Sequence, residues 1–171
     1  MRVVIIGAGK LGYSIAELMS NEQYDVVFID RDEQRLEEAK STLDVLTICS
    51  AATSQSLFLD LDVKGADMVI SVTDSDETNM VASLMAKHFG IRHTVARIRD
   101  AQLLQDGQEF LKKSFHIDQI INPEMITARE IRRDIMTPAA LDVEDFAGGK
   151  VRLFETKIRR SSKFSGVMLK D

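Results

Sequence analysis

A chain of 171 residues with 44% hydrophobic and 29% charged side chains is composed like an ordinary soluble globular protein, long enough to bury a full core and more than one mononucleotide-binding half requires. The net charge of −5 argues against nucleic acid as a partner, because neutralising phosphates needs a basic surface. No apolar run reaches the roughly 20 residues of a membrane helix, and the N-terminus enters a strand with no signal peptide before it, so the expected location is the cytoplasm without direct membrane insertion.

The first predicted strand, Arg2–Ile6, runs into Gly7-Ala8-Gly9-Lys10-Leu11-Gly12 and then a helix with the apolar stripe Leu11, Ile15, Leu18 and Met19. Asp25–Ile29 is a second strand, with Asp30 at its end. Strand, G-x-G-x-x-G turn, helix, strand and acid are together a dinucleotide-binding signature. Gly7 lets the chain turn sharply, Gly9 has no Cβ to hold a pyrophosphate off the backbone, and Gly12 lets the helix pack closely. The phosphates then lie on the helix N-terminus. Asp30 is placed to accept hydrogen bonds from a ribose diol, which favours NAD or NADH over NADP, although Arg31 beside it offsets part of the repulsion of a 2′-phosphate.

Asp32 is the predicted cap of the second helix. Val45–Cys49 reads as a third strand, with the lone Cys49 expected to be a buried small hydrophobe; one cysteine provides neither a disulfide framework nor a cysteine-based metal site. Ser50-Ala51-Ala52-Thr53 follows as a small-residue turn suited to close approach by adenine or ribose, or simply as a short polar loop. After a fourth strand, Met68–Val72, the run Thr73-Asp74-Ser75-Asp76-Glu77-Thr78-Asn79 opens a helix striped by Val81, Leu84 and Met85. Asp74 and Glu77 have capping-box spacing, and helix capping accounts for the carboxylates here without a metal.

The fifth strand, Thr94–Ile98, alternates so that Arg97 shares a face with Arg99, within reach of a phosphate or of the acids near Asp74. A weaker sixth covers Asp118–Ile121. Asn122-Pro123 then starts a helix running to about Met136, with an apolar stripe of Met125, Ala128, Ile131 and Ile135 that suits either a partner or its own sheet. Thr137-Pro138 ends it, and Leu141–Phe146, Gly148-Gly149 and Val151–Ile158 predict a hairpin. The expected organisation is an α/β Rossmann-like lobe over 1–121, with a parallel sheet covered by helices on both faces, a crossover helix over 122–137, and over 138–171 the start of a small C-terminal lobe that packs on a neighbour or continues in a longer chain.

Proton-moving residues are sparse. His88, His93 and His116 are scattered, and neither Tyr13 nor Tyr24 has a Tyr-x-x-x-Lys spacing, which favours a nucleotide sensor over an enzyme. The stretches Val3–Asp30, Ala66–Asn79, Val95–Arg99 and Ile121–Glu124 together resemble the regulatory subunits of bacterial Trk/Ktr-type potassium uptake systems, the TrkA or KTN/RCK family. The resemblance implies a Rossmann lobe, a dimerising crossover helix and a smaller C-terminal lobe, assembled as a homodimer or higher ring beneath a membrane potassium-transporter subunit. It implies NAD(H) or ATP/ADP binding without turnover, with contacts from Gly7 to Leu11 and at Asp30, Thr73, Asp74 and Arg97. One departure is Ser50-Ala51-Ala52-Thr53, where the family often has a glycine, so a restricted φ or a crowded adenosine is expected there. The alternatives are a small NAD-dependent oxidoreductase and the RCK gating lobe of a potassium channel.

Overall fold

The structure, a computed structural model, describes residues 1–136, 142–146, 150–155, 157, 158, 160, 162, 165 and 166. It forms two compact units, Met1–Asn122 and Pro123–Asp171.

In the first unit, six strands form one parallel sheet: β1 (Arg2–Ile6), β2 (Asp25–Asp30), β3 (Leu46–Cys49), β4 (Met68–Ser71), β5 (His93–Arg97) and β6 (Gln119–Ile121). The helices between them are α1 (Lys10–Asn21), α2 (Glu33–Thr42), α3 (Gln55–Leu59), α4 (Asp76–His88), α5 (Ala101–Asp106) and α6 (Gln108–Ser114). The spatial order is β3-β2-β1-β4-β5-β6. The chain therefore winds outward from β1 in one direction and then returns to wind outward in the other, which opens a crevice between β1 and β4 at the strands' carboxyl ends.

Central position explains composition. Val3, Val4, Ile5 and Ile6 of β1 lie between β2 and β4 and are almost wholly buried, because helices cover both faces. Alternation sends Val3, Ile5, Val26 and Phe28 to one core with Ala16 of α1 and Leu36 and Ala39 of α2. Val4, Ile6, Val27 and Ile29 go to the other, with Phe58 of α3 and Ala82 and Ala86 of α4. Phe58 stacks on Phe89 with ring centroids 5.9 Å apart. A third cluster joins Ala96 and Ile98 to Leu111 and Ile117.

Two predicted stripes hold in part: Leu11, Ile15 and Met19 of α1 and Met85 of α4 pack against the core, and the other members do not. In α1 the buried positions are Gly12 and Ala16, with Leu11, Ile15 and Met19 flanking them, and Leu18 is 55% exposed. In α4 the buried positions are Asn79, Met80, Ala82, Ser83 and Ala86, whereas Val81 and Leu84 are each 37% exposed. Both helices lie close to the sheet mainly on small residues, so Leu18, Val81 and Leu84 border the contact, while Met80 is the large apolar side chain that α4 buries. The cap of α4 is also corrected. Ser75, not Asp74, accepts from the Thr78 N–H at 3.1 Å, while the predicted cap Asp32 does accept from Gln34 N–H at 3.0 Å.

In the second unit, α7 (Pro123–Met136) exposes Met125, Ile131 and Ile135 of the predicted stripe. β7 (Asp142–Phe146) and β8 (Val151–Glu155) pair antiparallel, with Phe146 opposite Val151. Thr137-Pro138 and Gly148-Gly149 lie outside the described residues. Among the described residues, no helix is long and apolar enough to cross a membrane.

Candidate functional site

Three glycines follow β1, and each is a glycine for a different reason. Gly7 has φ +111°, and a Cβ there would lie 2.8 Å from Thr73 N. The backbone leaving β4 passes directly against it, and the Gly7 N–H donates to Ile29 O at 2.7 Å. A Cβ on Gly12 would fall 1.8 Å from the carbonyl oxygen of Gly7, so α1 reaches its place only without one. Gly9, the residue capping α1, has φ −78°, which any residue adopts, and a Cβ there would meet nothing within 4 Å. Packing within the protein fixes the first two glycines; nothing among the described residues requires the third.

Asp30 ends β2 with its side chain only 10% exposed. Its Oδ2 accepts from the Ala8 N–H at 2.6 Å and its Oδ1 from the Asp32 N–H at 2.9 Å. The Arg35 guanidinium lies 4.0 Å from Asp30 and 3.4 Å from Asp32. A carboxylate has about four lone-pair directions, so Asp30 anchors the glycine loop and the start of α2 and keeps capacity for two further donors.

Across the crevice, fully buried Asn79 of α4 holds the exit of β4 and the end of β5 together. Its Oδ1 accepts from the Thr73 N–H at 2.9 Å and from the Thr73 hydroxyl at 2.7 Å, and its Nδ2 donates to Arg97 O at 2.9 Å. Arg99, which lies just beyond β5, makes the predicted association with the acids near Asp74. Its guanidinium lies 3.7 Å from Asp76 and donates to the carbonyl of Asp74, while Asp76 accepts from the Arg99 and Asp100 N–H groups. The Glu77 carboxyl is held below its ordinary range by its own N–H and by the Ser75 hydroxyl at 2.8 Å.

These elements surround a cavity of about 540 Å³. Of the sequence-predicted residues, Gly7, Gly9, Lys10, Leu11, Asp30, Arg31, Thr73, Asp74 and Arg97 line it. Ala8 and Gly12 are not part of the lining: Ala8 turns its N–H to Asp30, and Gly12 is spent on helix packing. Ser50, Ala51, Ala52 and Thr53 line the cavity as the sequence suggested, and none of them has a positive φ, so the absence of a glycine there strains nothing. Asp32, which the sequence assigned only as a helix cap, also lines it, as do Arg35 and Thr78, to which the sequence gave no site role. Arg35 follows Asp32 by one helical turn, a spacing that could have drawn notice. Cys49 is a further correction. It is exposed, because β3 is an edge strand with a half-open face, and its Sγ lies 3.7 Å from Arg31 O. No metal-binding cluster of His, Cys, Asp or Glu occurs among the described residues.

A doubly wound parallel sheet whose glycine turn, helix N-terminus and strand-end carboxylate converge on one cavity at the switch point is a Rossmann-type α/β domain. The chain belongs to the TrkA-N domain family, whose model matches residues 3–123. It is 35% identical over 158 residues to the "Trk system potassium uptake protein TrkA" of Halomonas elongata, covering 92% of this chain and 35% of that protein. It is 33% identical over 171 residues to the TrkA homolog of Archaeoglobus fulgidus, covering all of this chain and 38% of that protein. The chain thus spans little more than a third of the curated relatives it matches. The fold is shared with the GsuK channel bound to NAD (TM-score 0.65, 14% identity, 76% of this chain and 23% of that one). It is shared too with GsuK bound to ADP (TM-score 0.66, 15% identity, 81% and 35%).

Proposed function

We propose that this chain is a nucleotide-sensing regulatory domain of a potassium uptake system, with NAD or NADH as ligand and ATP or ADP as the competing adenine nucleotides. The observation that carries the reading is Gly9, which lies in the cavity lining at the N-terminus of α1 and whose missing side chain serves no contact among the described residues. A diphosphate is the group that uses bare backbone there, drawn by unpaired N–H groups and the positive end of the helix dipole. Asp30 takes the ribose diol with its two unused lone-pair directions, Arg31 borders it, and Thr73, Asp74 and Arg97 meet what extends past the diphosphate. The relatives' names and the NAD- and ADP-bound structures of the same fold support this reading.

In this reading the domain senses the nucleotide without turning it over, in keeping with relatives named as potassium uptake proteins. Regulation is a population shift, in which a nucleotide favours one arrangement of subunits because it binds that arrangement more tightly. The exposed stripe of α7 joins two copies as a homodimer or within a higher ring, and a membrane potassium-transporter subunit receives the signal from the cytoplasmic side.

Calorimetric titration with NAD, NADH, ATP and ADP tests the ligand, with saturable heat expected from at least one. Absence of heat from all four overturns the reading. Solution scattering of the nucleotide complexes tests the shift, with different profiles expected for at least two ligands.

A further inference from the structure

The hydrogen bonds of Asn79 fix more than the position of the loop after β4. Oδ1 accepts from the Thr73 N–H at 2.9 Å, a group that only donates. Nδ2 donates to the carbonyls of Thr73 at 3.3 Å and Arg97 at 2.9 Å, groups that only accept. Backbone polarity therefore dictates which end of the amide is oxygen. That oxygen lies 2.7 Å from the Thr73 hydroxyl and takes its single proton, and the carbonyl of Ser75, at 3.2 Å, is a second acceptor for the same proton. One lone pair of the hydroxyl receives the Ser75 N–H at 3.3 Å. Thr73, which lines the cavity, is left with one lone pair and no proton to offer.

We propose that Thr73 is a specificity-determining residue, resting on the nucleotide reading above, and that Asn79 is the residue that sets its polarity. The β4 side of the crevice accepts a hydrogen-bond donor, such as a ribose hydroxyl or a carboxamide of the second nucleoside of a dinucleotide. The terminal phosphate of ADP or ATP carries acceptor oxygens, gains nothing from an acceptor-only hydroxyl, and meets the carboxylate of Asp74 in the same lining. Arg97 on this side attracts phosphate, so the outcome is a ratio of affinities rather than exclusion.

The test is calorimetric titration of the full chain with NADH and with ADP, for wild type, Thr73→Val and Thr73→Ser, with a melting curve for each. Valine removes the hydroxyl and retains branching at Cβ, whereas serine retains the hydroxyl. Thr73→Val is expected to weaken NADH by roughly fivefold, one hydrogen bond's worth, and to leave ADP within about twofold. Thr73→Ser keeps the wild-type ratio. A residue that merely supports the fold would weaken both ligands together. An unchanged NADH-to-ADP ratio in folded Thr73→Val, or a serine variant that behaves as valine does, overturns the assignment. If the valine variant does not fold, Thr73→Ala carries the same comparison. Wild-type protein that binds neither nucleotide overturns the nucleotide reading itself.

Discussion

The backbone N–H of Ala8 donates to Oδ2 of Asp30 at 2.6 Å, tying the middle of the glycine turn to the end of β2. One short hydrogen bond thus sets the spacing between the residues assigned to the diphosphate and the carboxylate assigned to the ribose. Because Asp30 also accepts from Asp32 N–H, the carboxylate proposed to take the ribose is also one that builds the crevice.

Asp30→Ala is therefore expected to act twice. NADH affinity should fall by roughly 1–3 kcal/mol through lost charged hydrogen bonds, and stability should fall by a similar amount as the Ala8 and Asp32 N–H groups lose their acceptor, about 1–3 kcal/mol. Paired titration and denaturant unfolding separate the two effects. A variant of wild-type stability would contradict the anchoring role.

The glycines divide by experiment as they do by geometry. Gly9→Ala is expected to change stability by no more than about 1 kcal/mol while weakening NADH by about tenfold or more. Gly12→Ala forces a methyl against the Gly7 carbonyl and should cost about 3 kcal/mol of stability. Thermal melts with and without NADH read both. A Gly9→Ala protein that binds normally would remove the principal support for a diphosphate at this turn.

Asn79→Ala removes the side-chain acceptor of the Thr73 N–H and the amide that donates to the Arg97 carbonyl. Destabilisation of roughly 2–4 kcal/mol is expected, more than one exposed hydrogen bond supplies. Urea unfolding measures it, and a loss under about 0.5 kcal/mol would show that the surrounding backbone holds its shape unaided.

Acid stability follows from three carboxylates held below their ordinary range. For Asp67 the causes are the Arg2 N–H and then the Arg92 side chain, and for Glu77 its own N–H and the Ser75 hydroxyl. For Asp118 burial pushes upward, but the Lys87 ammonium at 2.8 Å and the Thr94 N–H at 2.8 Å outweigh it. Each folded value lies below the unfolded one, so the stabilisation is complete above the unfolded carboxylate pKa, about 4. It is lost as pH falls through the folded values. The melting temperature contributed by these groups should be level from neutral pH down to about pH 5 and should drop below about pH 4. Lys87→Met should make that drop shallower, and an identical acid profile would refute the Asp118 pairing.

The strands were legible because a parallel sheet covered on both faces needs apolar runs, and Val3–Ile6, Val26–Ile29 and Met68–Ile70 supply them. The glycine turn and Asp30 were legible because their spacing is set by the geometry of one strand-turn-helix-strand unit. Local pattern misled where size and facing part company. Leu18, Val81 and Leu84 border their helix contacts, and Ala16, Ala82 and Ala86 fill them. Cys49 sits in an apolar run yet is exposed, because only strand order reveals that β3 is an edge.

The amino-acid order alone determined the number and sequence of the strands, the turn that follows β1 and the acid that follows β2, since each depends on residues close along the chain. Tertiary structure decided which glycines are fixed by internal packing, where the carboxylate of Asp30 is anchored, and how Asn79 joins the exit of β4 to Arg97. Those relationships bring together atoms from separate strands and helices, and their distances exist only after the sheet has chosen its order.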